Sequence, residues 1–208
     1  MKQFRGTRVD ETLAEIADPA HTCLVVWDVQ NGLVGRVFNK ETYLPGLAAF
    51  VNEARGRMPV VYTLITPLPR GFQSGWNIYS QMRRMGVSDP EQLPVFMAPG
   101  SPEREIPGEV KPASGDIVLE KSTPNIFLGT NFETLLRNRG ITTILFTGIA
   151  TEVGVETSAR DAGARGFYPV IVREGVSSMD REAHERSLAN LSRQAIVAGM
   201  DELKAVWA

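Results

Sequence analysis

The stretch ILFTGIATEVGVETSARDA, Ile144 to Ala162, carries the pattern from which the fold follows. It begins as a continuous apolar run, breaks at Thr147-Gly148, and then takes on helical spacing. A strand covered on both faces reads as an unbroken apolar run, because neither side meets water. Gly154 falls in the first turns of the expected helix, where glycine costs roughly 0.5–1 kcal/mol relative to alanine. A residue without a side chain at a strand-to-helix corner therefore calls for a physical reason.

Five further apolar, β-branched runs accompany this one: Thr22–Asp28, Val60–Thr66, Ile117–Lys121, Tyr168–Val172 and Ala195–Ala198. Helical patterns separate most of them. LPGLAAFVNEARGR sets Leu44, Leu47, Phe50, Val51 and Ala54 on one face and stops at Gly56. GTNFETLLRNRG opens with Thr130 or Asn131 as cap, places Glu133 in the first turn, and ends at Gly140. SSMDREAHERSLANLSRQ suggests an imperfect capping box at Ser178, with Glu182 four residues on. Strands alternating with helices predict a parallel sheet with right-handed crossovers, a doubly wound α/β domain. Residues 1–208 read as one domain, with no repeat or linker. The exception to the alternation is the connection from Pro67 to Asp116, rich in proline and glycine, which reads as a lid or a subunit contact.

Composition narrows the function. The formal net charge is −2, with basic residues scattered and only Arg83-Arg84 adjacent, so no nucleic-acid partner is expected. With a single cysteine, Cys23, neither an internal disulfide nor a cysteine-rich zinc site can form, and its apolar neighbours predict a buried, inert thiol. The two histidines, His21 and His184, lie far apart, and no metal is expected. Glycine-rich phosphate-binding motifs are absent, so no cofactor is indicated. The first residues have no apolar core of a secretory signal, and no run approaches the ~20 apolar residues of a membrane span. The expectation is a cytoplasmic protein acting on a small molecule, without a membrane partner.

In doubly wound sheets ligands bind beyond the carboxyl ends of the strands. The charged residues there are Asp28, closing the first run, and Lys121, closing the third. A carboxylate and an ammonium at the mouth of an apolar core are costly to desolvate unless paired. Such a pair is either a structural ion pair between strands or a general acid/base tuned by its neighbour.

VVWDVQNG, LEKSTPNIFLGTNFETLL and FTGIATEVGVETSARDA, taken together and in this order, resemble the isochorismatase-like hydrolases, the cysteine hydrolase superfamily, over about Thr22 to Met200. The resemblance implies a three-layer α/β/α fold with a six-stranded, mostly parallel sheet in the order 3-2-1-4-5-6. It implies a cis peptide at Ile149–Ala150 and a homo-oligomer, a dimer or tetramer, for which the 67–116 connection is the candidate interface. It places the family's catalytic aspartate, lysine and cysteine at Asp28, Lys121 and Gly154, so the nucleophile position holds glycine. Thr151, Thr157 and Ser158 are nearby hydroxyls, of which the last two read as capping or packing groups.

Some members of the family, which cleave a vinyl ether, work without a covalent nucleophile, and deletion of the thiol would make room for substrate. That reading gives a metal-free hydrolase in which Asp28 acts as the acid and Lys121 orients a carboxylate. Around Gly154, however, the pattern is that of the amidases, with Thr151-Glu152 and Val155 where the vinyl-ether enzymes differ. Two alternatives stay open: an inactive homologue serving binding or assembly, and an amidase whose nucleophile was changed to Gly154. No histidine follows the second run, against a nicotinamidase zinc site. Candidate substrate contacts are Gln30, Asn125, Phe127, Ile149, Ala150, Thr151, Arg70, Gln73 and Trp76. Arg160 and Asp161 read as an ion pair anchoring their helix.

Overall fold

The computed structural model describes residues 2–69 and 71–207. A short hairpin of β1 (Lys2–Phe4) and β2 (Thr7–Val9), not anticipated from its polar sequence, comes first. The main sheet contains β3 (Thr22–Trp27), β4 (Val60–Ile65), β5 (Ile117–Lys121), β6 (Thr143–Ile149), β7 (Tyr168–Ser177) and β8 (Ile196–Ala198). Its order is β5-β4-β3-β6-β7-β8, and every neighbouring pair is parallel. Counted within this sheet, that is the 3-2-1-4-5-6 order expected. Every residue of β3 and β6 is buried, which is why both read as unbroken apolar runs.

Strand alternation divides the core into two layers. Leu24, Val26, Tyr62, Leu145 and Val170 face α3 (Lys40–Ala54) and α8 (Met200–Val206). Cys23, Val25, Trp27, Ile144 and Phe146 face α5 (Phe132–Asn138), α6 (Glu156–Ala164) and α7 (Arg181–Leu191). The expected face of α3 is the buried one, although the helix starts at Lys40 and tolerates Pro45 within it. Its interior side chains each contribute on the order of 1.5–3 kcal/mol through burial.

Three local expectations need correction. Gly154 lies not in an α-helix but in a π-type turn, Thr151–Val155, and α6 proper begins only at Glu156. The cap of α7 is Asp180, whose side chain accepts from the Ala183 amide, while Ser178 donates to Glu152 Oε1 at 2.7 Å. The 67–116 connection, read as an exception to the strand–helix alternation, contains a helix of its own, α4 (Gly75–Met85), capped by Ser74 and terminated by left-handed Gly86. Two further short α-helices are α1 (Leu13–Ile16) and α2 (Asn31–Val34).

The sheet order reverses between β3 and β6: β4 and β5 lie to one side, β7 and β8 to the other. The crevice at the carboxyl ends of these two central strands is where such a sheet offers a site.

Candidate active site

Asp28 follows directly on β3 with φ of 46°, a left-handed conformation rare for a residue with a side chain. Its amide donates to Thr63 Oγ1 at 3.0 Å, and the same hydroxyl donates to Asp28 Oδ1 at 2.5 Å. Lys121, the last residue of β5, donates from Nζ to Asp28 Oδ2 at 2.6 Å. The two side chains are 4% and 2% exposed, so the pair is sequestered from water. Burial raises the Asp28 carboxyl above its ordinary value, against the opposing pull of Lys121 and Thr63. Burial likewise lowers the Lys121 ammonium, opposed by Asp28. Burial works against the charged form of each group, and the contact between them works against burial.

The second half of the crevice is the end of β6. Gly148 has φ of 117°, and a side chain there would run into the backbone of Trp27. The next peptide, Ile149–Ala150, is cis, as the resemblance implies. At Gly154 the structure overturns an expectation. A β-carbon built on Gly154 would overlap Nε1, Cε2 and Cζ2 of Trp27. The space at this glycine is not left for substrate; the Trp27 indole fills it. The opposite interaction of the same ring is with Lys121, whose Nζ lies 3.9 Å from a ring centroid, within cation–π range. Trp27, Asp28, Lys121, Thr63 and Gly154 therefore form one contiguous cluster.

Several other candidates have structural work. Gln30 is fully buried, donates to Arg104 O at 2.9 Å and accepts from the Ile65 amide, tying the 67–116 connection to β4. Asn125 donates to Asp161 Oδ2 at 2.7 Å and accepts from the Phe127 amide. Phe127, a candidate substrate contact, is instead buried against Phe132 and Phe167 in the layer beneath α5 and α6. Thr151 is buried with its hydroxyl engaged by Ser177 O and His184 Nδ1. Ile149 is in the core and Ala150 packs at its margin. Gln73 is exposed, and Trp76, 72% exposed on α4, lies tilted against Tyr79 of its own helix. Arg70 lies outside the described residues. Arg160 and Asp161 do not pair with each other: Arg160 binds Glu156, and Asp161 binds Arg165 and Asn125. Thr157 and Ser158 do take the packing roles expected, bonding Val153 O and the Ile126 amide. Cys23 is fully buried, and burial pushes its thiol far up.

Sequence reasoning missed Thr63 and Trp27. Thr63 interrupts an apolar strand with a hydroxyl, and its partner lies 35 residues away. Trp27 had one signal, a very large residue immediately before Asp28 opposite a glycine, but only the sheet register brings the two together.

Comparison with known proteins agrees with this architecture. An isochorismatase domain model matches residues 22–202. A ureidoacrylate amidohydrolase of Methylobacterium radiotolerans is 31% identical across 84% of this chain and 74% of its own length. N-carbamoylsarcosine amidase from Thermoplasma acidophilum is 28% identical and superposes with a TM-score of 0.68 over 87% of this chain and 97% of its own. An isochorismatase-like hydrolase from Alkaliphilus metalliredigens, 22% identical, shares the fold with a TM-score of 0.75 over 90% of this chain and 99% of its own.

Proposed function

The chain belongs to the isochorismatase family of hydrolases, and from that membership we propose that it hydrolyses a small molecule without a covalent thiol intermediate. Asp28 is the acid and base of the reaction, and Lys121 is its electrostatic partner. Gly154 stands where the family resemblance puts the cysteine. The observation that carries the reading is the sequestered Asp28–Lys121 contact of 2.6 Å beside a position that bears no side chain.

The reaction that fits these groups best is addition of water to a vinyl ether of an isochorismate-like acid. Protonated Asp28 delivers its proton to the enol carbon, and the ether oxygen stabilises the resulting oxocarbenium ion. Water adds to the carbon that bears the ether oxygen, while the Asp28 carboxylate takes a proton from the water. The hemiketal then collapses to a ketone and releases the alcohol, so every proton is accounted for. Lys121 attracts the carboxylate of the substrate and, by its charge, governs when Asp28 holds its proton. Burial holds Asp28 above its ordinary value, which favours the acid form that the first step requires.

The test is an assay of isochorismate hydrolysis with the wild type and with Asp28→Asn. Turnover by the wild type and a loss of about a hundredfold or more in the variant are expected. If the wild type does not turn over isochorismate, the vinyl-ether reaction is wrong. The names of two relatives, an amidohydrolase and an N-carbamoylsarcosine amidase, favour a second reading, in which Asp28 activates water against a carbamoyl C–N bond. Ammonia release from N-carbamoyl amino acids, dependent on Asp28, distinguishes it.

A further inference from the structure

The three tryptophans meet different fates. Trp207 donates from Nε1 to Ala17 O at 3.1 Å, and Trp76 is 72% exposed, so water serves its N–H. Trp27 is only 1% exposed, yet no acceptor among the described residues takes its Nε1–H. A buried indole N–H normally finds a partner, and leaving one unmet costs roughly 1–3 kcal/mol. Nor does this nitrogen belong with the fully enclosed unpaired side-chain atoms found among the described residues, on Tyr43, Ser101, Arg104 and Glu152. This nitrogen is therefore not wholly enclosed.

The indole edge that carries it lies over Gly154, beside the proposed acid and its lysine. Nε1 and Cε2 occupy the place of a side chain at 154, and the ring face takes the Lys121 ammonium at 3.9 Å. Within one cluster stand a carboxyl, a cation and an unused neutral donor.

We infer that Trp27 is a substrate-binding residue, whose indole N–H donates to a carboxylate or carbonyl oxygen of the ligand beside Asp28 and Lys121. The inference rests on the hydrolase reading above and assigns its substrate a small, oxygen-bearing acid or carbonyl compound. In this arrangement the residue opposite Gly154 is not filler. Its face sets the position of Lys121 and its edge recognises the ligand. The glycine is required because any side chain there would displace the edge that carries the N–H.

Indole NMR signals of the full, nitrogen-15-labelled chain test this directly, with the Trp27 signal identified through Trp27→Phe. Titration with acetate, the anionic probe, and with acetamide, the neutral one, is expected to move the Trp27 indole proton downfield and saturably. The exposed Trp76 and the bonded Trp207 signals should stay in place. Trp27→Phe keeps the ring for Lys121 and removes the donor, and its acetate affinity, measured by calorimetry, should fall about tenfold. Gly154→Ala should abolish the Trp27 response, because the added methyl displaces the ring. A Trp27 signal that neither probe moves overturns the inference, as does undiminished acetate affinity in Trp27→Phe. Because binding is read without turnover, a silent isochorismate assay with a responsive Trp27 discards the vinyl-ether reaction and keeps the donor. Turnover with an unresponsive Trp27 does the reverse.

Discussion

Trp27 and Gly154 are separated by most of the chain yet share one volume, so neither is free to change alone. Adding a thiol at 154 drives it into the indole, and overpacking of this kind costs about 1–3 kcal/mol. Truncating the indole alone leaves a cavity in the layer beneath α5 and α6, and large aromatic-to-alanine changes cost about 3–5 kcal/mol. The pair Trp27→Ala with Gly154→Cys should cost clearly less than the sum, because each change accommodates the other. A double-mutant cycle by urea denaturation measures the coupling; costs that add within about 0.5 kcal/mol would mean the two positions do not compete for space. Asp28 and Lys121 couple in the same sense. Asp28→Ala strands a buried ammonium and should lose about 3–5 kcal/mol, whereas Asp28→Leu with Lys121→Met should recover most of that loss. Equal instability of the single and double variants would show that the carboxyl matters through something other than its lysine.

The elements differ in how plainly their sequences announce them. β3 and β6 were legible because burial on both faces leaves an apolar run, β4 because only Thr63 interrupts one, and α3 because its core stripe repeats at helical spacing. The hairpin of β1 and β2 and the helix α4 were not, since every residue of the first three-residue strand is exposed and α4 buries none. With no core-facing stripe there is no periodic signal, and the prolines around α4 argue against it locally. The turn Thr151–Val155 was legible as a corner but not in its contacts. His184 of α7 reaches back to Thr151 Oγ1 at 2.8 Å, and Ser178, between β7 and α7, reaches Glu152, so α7 and the segment leading into it hold this turn in place. Burial is the main cause holding the His184 imidazole below its ordinary value of 6.5; Glu152 and Glu185 oppose it and Arg181 adds to it. The unfolded chain then binds the proton more readily than the folded one, and stability rises with pH through that window. The contribution is present above the unfolded value of 6.5 and is lost as pH falls through the folded one. Urea denaturation at about pH 7.5 and about pH 5 should show a flatter dependence for His184→Gln than for the wild type. An unchanged slope in the variant would assign the acid sensitivity to other groups.

For the molecule as a whole, the alternation of strands and helices was enough to reach a doubly wound sheet, and the placement of Asp28 and Lys121 at strand ends was enough to locate the crevice. The 2.6 Å contact between them and the indole over Gly154 depend on register across strands, which no local pattern encodes. What the single chain leaves unexplained is α4. An eleven-residue helix with no buried side chain is marginal in water on propensity alone. It also displays Trp76 and Tyr79, 72% and 52% exposed, with Phe72 just before it at 77%. Aromatic groups gathered on one exposed segment are what an interface uses for anchors, and exposed apolar patches of this kind mark association. The outcome expected is a homo-oligomer in which α4 packs against another copy. Light scattering on the eluting protein should then give a multiple of the 22.9 kDa chain mass. Trp76→Ser with Tyr79→Ser should weaken association by about 2 kcal/mol or more, roughly thirtyfold in the dissociation constant, while the sheet stays folded. A wild-type protein that elutes as a 22.9 kDa monomer would leave α4 to be stabilised by its caps at Ser74 and Gly86 alone.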